Sequence, residues 1–342
     1  MQLSERKQKI LAAVIDLFVA TGEPVGSKAI CDTLDFSVSS ATVRNEMSEL
    51  SEMGLLEQPH TSAGRVPSQK GYRVYIDTLM KKHPISGEEQ RYIDSLLLPS
   101  AYDPERLLDG VARALAGMTR LAAVSTTPSG KAADIRAIQF VQTSRRTAMV
   151  ILMSSAGTMK SRVFHCDFDI TPEILRVFFR VLNEKLVGLP VSTITPAYIQ
   201  SLAASLGDMS MLMSSALMAV LDVAQDSMQA EVCLDGEMNL LFYNEFGQNG
   251  IRRIMDFLSR PQELSQLLMQ KSSIKVMIGE ETNRPELSES SVVVSRYSVG
   301  GRDAGAIAII GPTRMNYGKI ISNIEYLSGS VGRMLTELMD TE

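Results

Sequence analysis

Ile10, Leu11, Val14, Leu17 and Phe18 recur at helical spacing, and Gly22 and Pro24 stop the segment they define. A second short helix is predicted from Ser27, with Ala29, Ile30 and Leu34 facing inward. The run Phe36-Ser37-Val38-Ser39-Ser40 reads as a turn. The next helix can be capped by Ser39 or Ser40, repeats Val43, Met47 and Leu50, and ends at Gly54, where a left-handed residue is wanted. Leu55-Leu56-Glu57 and Arg65-Val66-Pro67 then read as short strands around His60-Thr61-Ser62-Ala63-Gly64, before a helix over 74–82. Three helices followed by a hairpin make a winged helix-turn-helix.

Further along, the pattern becomes mixed. Residues 81–87 are polar and interrupted by Pro84 and Gly87, which suggests a linker. A helix over 105–118 and a strand over 121–125 follow. Alternation predicts strands over 135–141, 148–153 and 159–164, a helix over 172–187, strands over 274–278, 292–297 and 305–310, and a long helix over 317–338. Met209, Met211, Leu212, Met213, Leu217, Met218 and Leu221, with Met228 beyond them, lie on a methionine-rich apolar helix. Such a stripe is either ordinary core or an adaptable contact surface.

Composition adds location and excludes classes. The chain has 342 residues, 45% apolar and 21% charged, which suits two or three globular domains rather than disorder. The charged start has no apolar stretch typical of a signal peptide, and the longest uncharged stretch, 186–207, carries Pro190 and Pro196. Cys31, Cys166 and Cys233 are few, odd in number and far apart, as suits a reducing compartment. A cytoplasmic protein with no membrane partner is expected.

Charge is uneven along the chain. Residues 1–82 carry ten Lys or Arg and ten Asp or Glu, so the net charge of −5 belongs to residues 83–342. Within 61–82, Arg65, Lys70, Arg73, Lys81 and Lys82 face only Asp77. A short basic segment beside a helix-turn-helix suits contact with phosphates. On the third helix, with Val43, Met47 and Leu50 inside, Ser40, Thr42, Arg44, Asn45 and Ser48 point outward, and Ser39 lies at its start. Helices of this kind present early residues to the major groove, where Arg pairs with guanine and Asn with adenine. Base reading is therefore expected mainly from Ser39, Ser40, Thr42, Arg44, Asn45 and Ser48. Contacts from the wing and the following helix are expected from His60, Thr61, Arg65, Lys70, Tyr72 and Arg73, although Tyr72 can equally pack the helix onto the core.

Two runs carry a resemblance. Ser40-Ala41-Thr42-Val43-Arg44-Asn45-Glu46-Met47, and the long run from His60 through Gly64-Arg65-Val66-Pro67-Ser68-Gln69-Lys70-Gly71-Tyr72-Arg73, resemble the HrcA family of heat-inducible transcription repressors. Ala306-Ile307-Ala308-Ile309-Ile310-Gly311-Pro312-Thr313-Arg314-Met315-Asn316-Tyr317 resembles that family's C-terminal signature, so the likeness spans essentially the whole chain. It implies an α+β multidomain protein with a winged helix-turn-helix over 1–82 and a linker over 83–103. A GAF-like α/β domain over 104–171 and 247–342 follows, with an inserted dimerising domain over 172–246. It also implies a homodimer on double-stranded DNA, at the CIRCE inverted repeat upstream of chaperone operons, released on heat stress and assisted by the GroEL chaperonin. The dimer contact would fall on the methionine-rich helix. A small-molecule-responsive regulator sensing through the GAF-like domain is the alternative.

Enzymatic chemistry finds little support. His165-Cys166-Asp167 are consecutive on a strand, so neighbouring side chains point to opposite faces. HExxH, CxxC and Walker patterns are absent, and Gly300-Gly301-Arg302-Asp303-Ala304-Gly305 joins two strand-like runs as a hairpin turn would. No catalytic group, cofactor or metal is expected.

Overall fold

The computed structural model describes residues 3–60, 63–128, 130, 133–269 and 274–340. Helix α1 (Glu5–Thr21) starts at Ser4, whose side chain accepts from the Lys7 amide. Its buried Ile10, Leu11, Val14 and Ile15 pack against α2 (Ser27–Thr33) and α3 (Ser40–Glu52). Ile30 of α2 is buried, whereas Ala29, expected inward beside it, is exposed. Adjacent helical residues lie about 100° apart round the axis, so a single narrow contact cannot take both. After α3 the chain turns at Gly54, whose φ of 72° is the left-handed geometry expected there. Strands β1 (Leu56–Glu57) and β2 (Val66–Pro67) then pair antiparallel, with Leu56 opposite Pro67. Val25 extends this hairpin by exchanging backbone bonds with Arg65 at 2.8 and 2.9 Å. Helix α4 (Gln69–Val74) is capped by Ser68, begins earlier than expected and continues as a wider π turn to Leu79.

The expected linker is largely helical. Helix α5 (Gly87–Leu97) opens with a reciprocal capping box between Ser86 and Glu89. It buries Ile93 and Leu97 and packs on α6 (Pro104–Thr119). Pro84 and Gly87 bound this helix rather than loosen the segment.

The body contains two sheets. Strand β3 (Ala122–Thr126) enters the larger one. The chain then leaves it for β4 (Ile135–Ser144), β5 (Thr147–Ser154) and β6 (Met159–His165), which pair as a separate three-stranded antiparallel sheet. Helices α7 (Pro172–Leu186), α8 (Pro196–Ser205) and α9 (Met209–Met228) close this unit around Ile138, Val150, Leu152, Phe178, Leu182 and Val220. Strand β7 (Val232–Asp235) returns to pair with β3, Ala123 opposite Asp235. Helices α10 (Gly247–Leu258) and α11 (Pro261–Leu268) precede β8 (Ile274–Ile278), β9 (Ser290–Val299) and β10 (Arg302–Pro312). The larger sheet has the order β7-β3-β10-β9-β8, and α12 (Tyr317–Asp340) packs on β9 and α6.

The division expected from sequence is therefore corrected. Residues 135–165, assigned above to the GAF-like part, lie in the inserted unit, and β7, assigned to the insert, belongs to the five-stranded sheet. The expected hairpin turn at Gly300 and Gly301 joins β9 to β10, both glycines being left-handed. The buried cluster of the five-stranded unit runs without a break into the N-terminal head, from Ile309 and Tyr317 to Tyr72, Leu50 and Ile10. The inserted unit keeps its own core. Among the described residues, no helix is long and apolar enough to cross a membrane.

Candidate nucleic-acid interface

The start of α3 is built by hydroxyls. Ser39 caps it, its Oγ accepting from the Thr42 amide at 3.1 Å and lying 2.8 Å from Thr42 Oγ1. Ser40 Oγ is 3.1 Å from Ser27 Oγ of α2. These three residues shape the turn between the helices as well as facing outward. Beyond them Arg44, Asn45 and Ser48 are exposed and engage no other described side chain. Ser48 follows Arg44 by about one helical turn, with Asn45 beside it, so the three share one outward face.

The inner face of α3 consists of Val43, Glu46, Met47 and Leu50. Glu46, 3% exposed, is a carboxylate inside an apolar stripe. Arg6 of α1 donates to its Oε1, and Lys7 Nζ lies 2.9 Å from its Oε2 and 2.8 Å from Glu49 Oε2. Burial pushes the Glu46 carboxyl up, but bonds from Lys7 and Arg6 outweigh it and hold the group below its ordinary value. The Lys7 ammonium is pushed up by its bonds to Glu49 and Glu46.

The wing is braced against α3. Arg65 Nε donates to Ser51 Oγ at 3.0 Å, and Lys70 Nζ donates to the Met53 carbonyl at 3.0 Å, beyond the last turn of α3. The Gly64 backbone packs so closely on Val25 that an added Cβ would lie 2.4 Å from the Val25 oxygen. His60 is exposed at the tip, and Thr61 lies outside the described residues.

The C-terminal half of the basic segment faces the body instead. Tyr72 is 1% exposed and packs edge-on against Tyr317, with ring centroids 5.9 Å apart. Burial pushes its phenol far up, and it has no surface to offer DNA in this arrangement. Arg73 donates to the Val276 carbonyl at 2.8 Å, pairs with Glu281, and reaches Asp77 at 3.3 Å. Gln69 donates to the Ser288 carbonyl, Lys82 pairs with Glu325, and Arg314 donates to the Val19 carbonyl at the end of α1. The expectation that Tyr72 and Arg73 touch DNA is thus corrected: both join the head to the five-stranded unit. A sequence pattern reports that a cation is present but not which surface its partner occupies.

The methionine-rich helix also divides. Met213, Leu217 and Leu221 are buried in the core of the inserted unit, and Met209 is half-buried. Met211, Leu212 and Met218 remain exposed. The sheet of that unit presents a second apolar face, with Val141 opposite Met149 and Met149 opposite Val163 in one row and Ala137, Met153 and Met159 in another. Val141, Val163 and Met159 are exposed there. Sequence reasoning passed over Arg6, Lys7, Glu46 and this sheet face. The one available signal for Glu46 was its place three residues after Val43, inside the buried stripe.

Comparison with known proteins agrees with this arrangement. Residues 2–79 match the family described as winged helix-turn-helix transcription repressor, HrcA DNA-binding, and residues 105–321 match the HrcA protein C terminal domain. The heat-inducible transcription repressor HrcA of Acetivibrio thermocellus is 35% identical, covering 99% of this chain and 98% of that protein. That of Halalkalibacterium halodurans is 33% identical, with 98% of each covered. A crystal structure described only as a hypothetical protein shares the fold with a TM-score of 0.69 at 22% identity, covering 98% of this chain and all of the other. The chain belongs to the HrcA family of heat-inducible transcription repressors.

Proposed function

We propose that this repressor occupies the CIRCE inverted repeat as a dimer, silences chaperone operons in the cytoplasm and releases them on heat stress. Arg44, Asn45 and Ser48 read base edges, while Ser39, Ser40 and Thr42 bring the start of α3 against the backbone. His60, Thr61, Arg65 and Lys70 set the head on phosphates, which position without reading sequence. The observation that carries this reading is the exposed trio Arg44, Asn45 and Ser48 on α3, which engages no other described side chain. The negative charge confined to residues 83–342 supports it by limiting indiscriminate attraction to DNA. The inserted unit is the dimer contact, because Met211, Leu212 and Met218 on α9 and the row Val141, Met149, Val163 leave apolar surface uncovered. Two-fold symmetry of the protein then matches two-fold symmetry of the repeat. GroEL assists by returning heat-damaged chains to the folded form, as marginal stability requires. Ligand sensing by the five-stranded unit has less support: β10 is buried over 304–312, with apolar side chains packed on both faces.

The experiment is a salt-controlled binding titration of a CIRCE duplex and a scrambled duplex with Arg44→Ala and Asn45→Ala. Each variant is expected to lose about 1–3 kcal/mol on CIRCE and little on the scrambled duplex. Retention of the parent's discrimination by both would remove α3 as the reading element.

A further inference from the structure

We infer that Glu46 is a positioning residue for sequence discrimination, a buried carboxylate that with Arg6 and Lys7 fixes the angle at which α3 presents Arg44 and Asn45. The inference rests on the reading of α3 proposed above. Val43, Met47 and Leu50, the other buried residues of α3, make non-directional apolar contacts, and Met47 is itself deformable. Glu46 alone on that face makes a directional one, accepting from Arg6 at Oε1, while the Lys7 ammonium lies 2.9 Å from Oε2 as an ion pair. Its two partners are consecutive residues in the first turn of α1, so the ion group ties one helix to a defined point on the other. Functional side chains must be held within about 0.5 Å and 10–20° to make specific contacts.

Stability gives no reason for a carboxylate here. A buried ion group is commonly matched or exceeded in stability by apolar residues of similar volume, and its best-attested use is to set register. A second consequence concerns charge. Helix α3 carries Arg44 against Glu46, Glu49 and Glu52, a poor balance for an element approaching phosphates. Lys7 engages both Glu46 and Glu49 while Arg6 engages Glu46, so two of the three carboxylates are neutralised from behind.

The test uses the full-length chain and measures Kd for the CIRCE duplex and for a scrambled duplex of equal length and composition at one ionic strength. The variants are Glu46→Met, which keeps volume without charge, and Glu46→Gln, which keeps shape. The reported quantity is the ratio of the scrambled-duplex Kd to the CIRCE Kd. A partly unfolded population raises both Kd values by the same factor, so simple destabilisation leaves the ratio unchanged. The ratio is expected to fall about tenfold in both variants, with Kd for the scrambled duplex within about threefold of the parent. Should Glu46→Met not fold, Glu46→Gln decides by the same criterion. A ratio equal to the parent's, or an equal loss on both duplexes, overturns the inference. Arg44→Ala and Asn45→Ala run in parallel separate the two ideas. If they lose discrimination while the Glu46 variants keep it, only the positioning role fails, and if all four keep it, the reading role of α3 fails.

Discussion

At the scale of single residues, the head shows how little of a side chain's role is contained in its charge. Arg44 and Arg73 both lie in the span that matches the family's DNA-binding domain, yet one faces open solvent and the other a carbonyl and a carboxylate of the body. Arg73→Ala is therefore expected to leave the salt dependence of DNA binding unchanged, whereas loss of a phosphate contact lowers the slope by about one. The same substitution lowers stability by about 1 kcal/mol, as a half-exposed ion pair with a backbone bond implies. A titration series in salt and a thermal melt check the two halves. Glu46 supplies a pH prediction. Its native carboxyl lies below the ordinary 4.5, so its contribution is complete above that value and is lost as pH falls through the lower native one. In Glu46→Gln the acid limb of the stability profile is expected to become shallower, measured by denaturant unfolding across that range.

Elements were legible where the local pattern was sufficient. The helices at 5–21 and 40–52 follow from periodicity and caps, because each buries one clear face, whereas the strand over 274–278 follows from its apolar, β-branched residues rather than from alternating burial. Strand β7 was missed because its four residues are all half-buried and show no alternation. Strands β4 to β6 were recognised but placed in the wrong unit: alternation states that a strand has one buried face and is silent on which sheet it joins. Pro84 and Gly87 suggest a linker, although Ser86 and Glu89 at capping-box spacing mark a helix start in the same segment. Of the interface, the outward face of α3 was readable because its inward face was, whereas the partners of Tyr72 and Arg73 lie some two hundred residues away. The open face of β4–β6 carries its own prediction. Val163→Glu places a charge at the β6 end of that apolar row, exposed in the protomer and within the surface proposed as the dimer contact. Self-association is expected to weaken about tenfold or more with the protomer's melting temperature little changed, as sedimentation equilibrium and a thermal melt would show. An unchanged dimer would leave the exposed methionines of α9 as the contact.

For the whole molecule, the decisive fact is that head and five-stranded unit share a core while the inserted unit does not. Tyr317, fully buried between β9 and the head, bonds Ser291 and meets Tyr72, and Arg314 reaches the end of α1. Calorimetry should accordingly show head and five-stranded unit melting as one transition. Tyr317→Ala, at a cost of about 3–5 kcal/mol, should separate the head from it. A parent head that already melts alone would contradict this coupling. The inserted unit stands differently in the chain. It leaves after β3 and returns at β7, and those strands are paired, with Thr126 opposite Val232. Everything from 127 to 231 thus hangs from the place where a tight turn would close an ordinary hairpin. At such a place a host sheet can carry any passenger whose two ends lie side by side. If the passenger is the dimer contact, it also acts as a ruler between the two heads. Chimeras carrying a differently shaped passenger would then favour a different spacer between the operator's half-sites, measurable with duplexes of graded spacer length. Spacing would be inherited with the passenger, and base preference with α3.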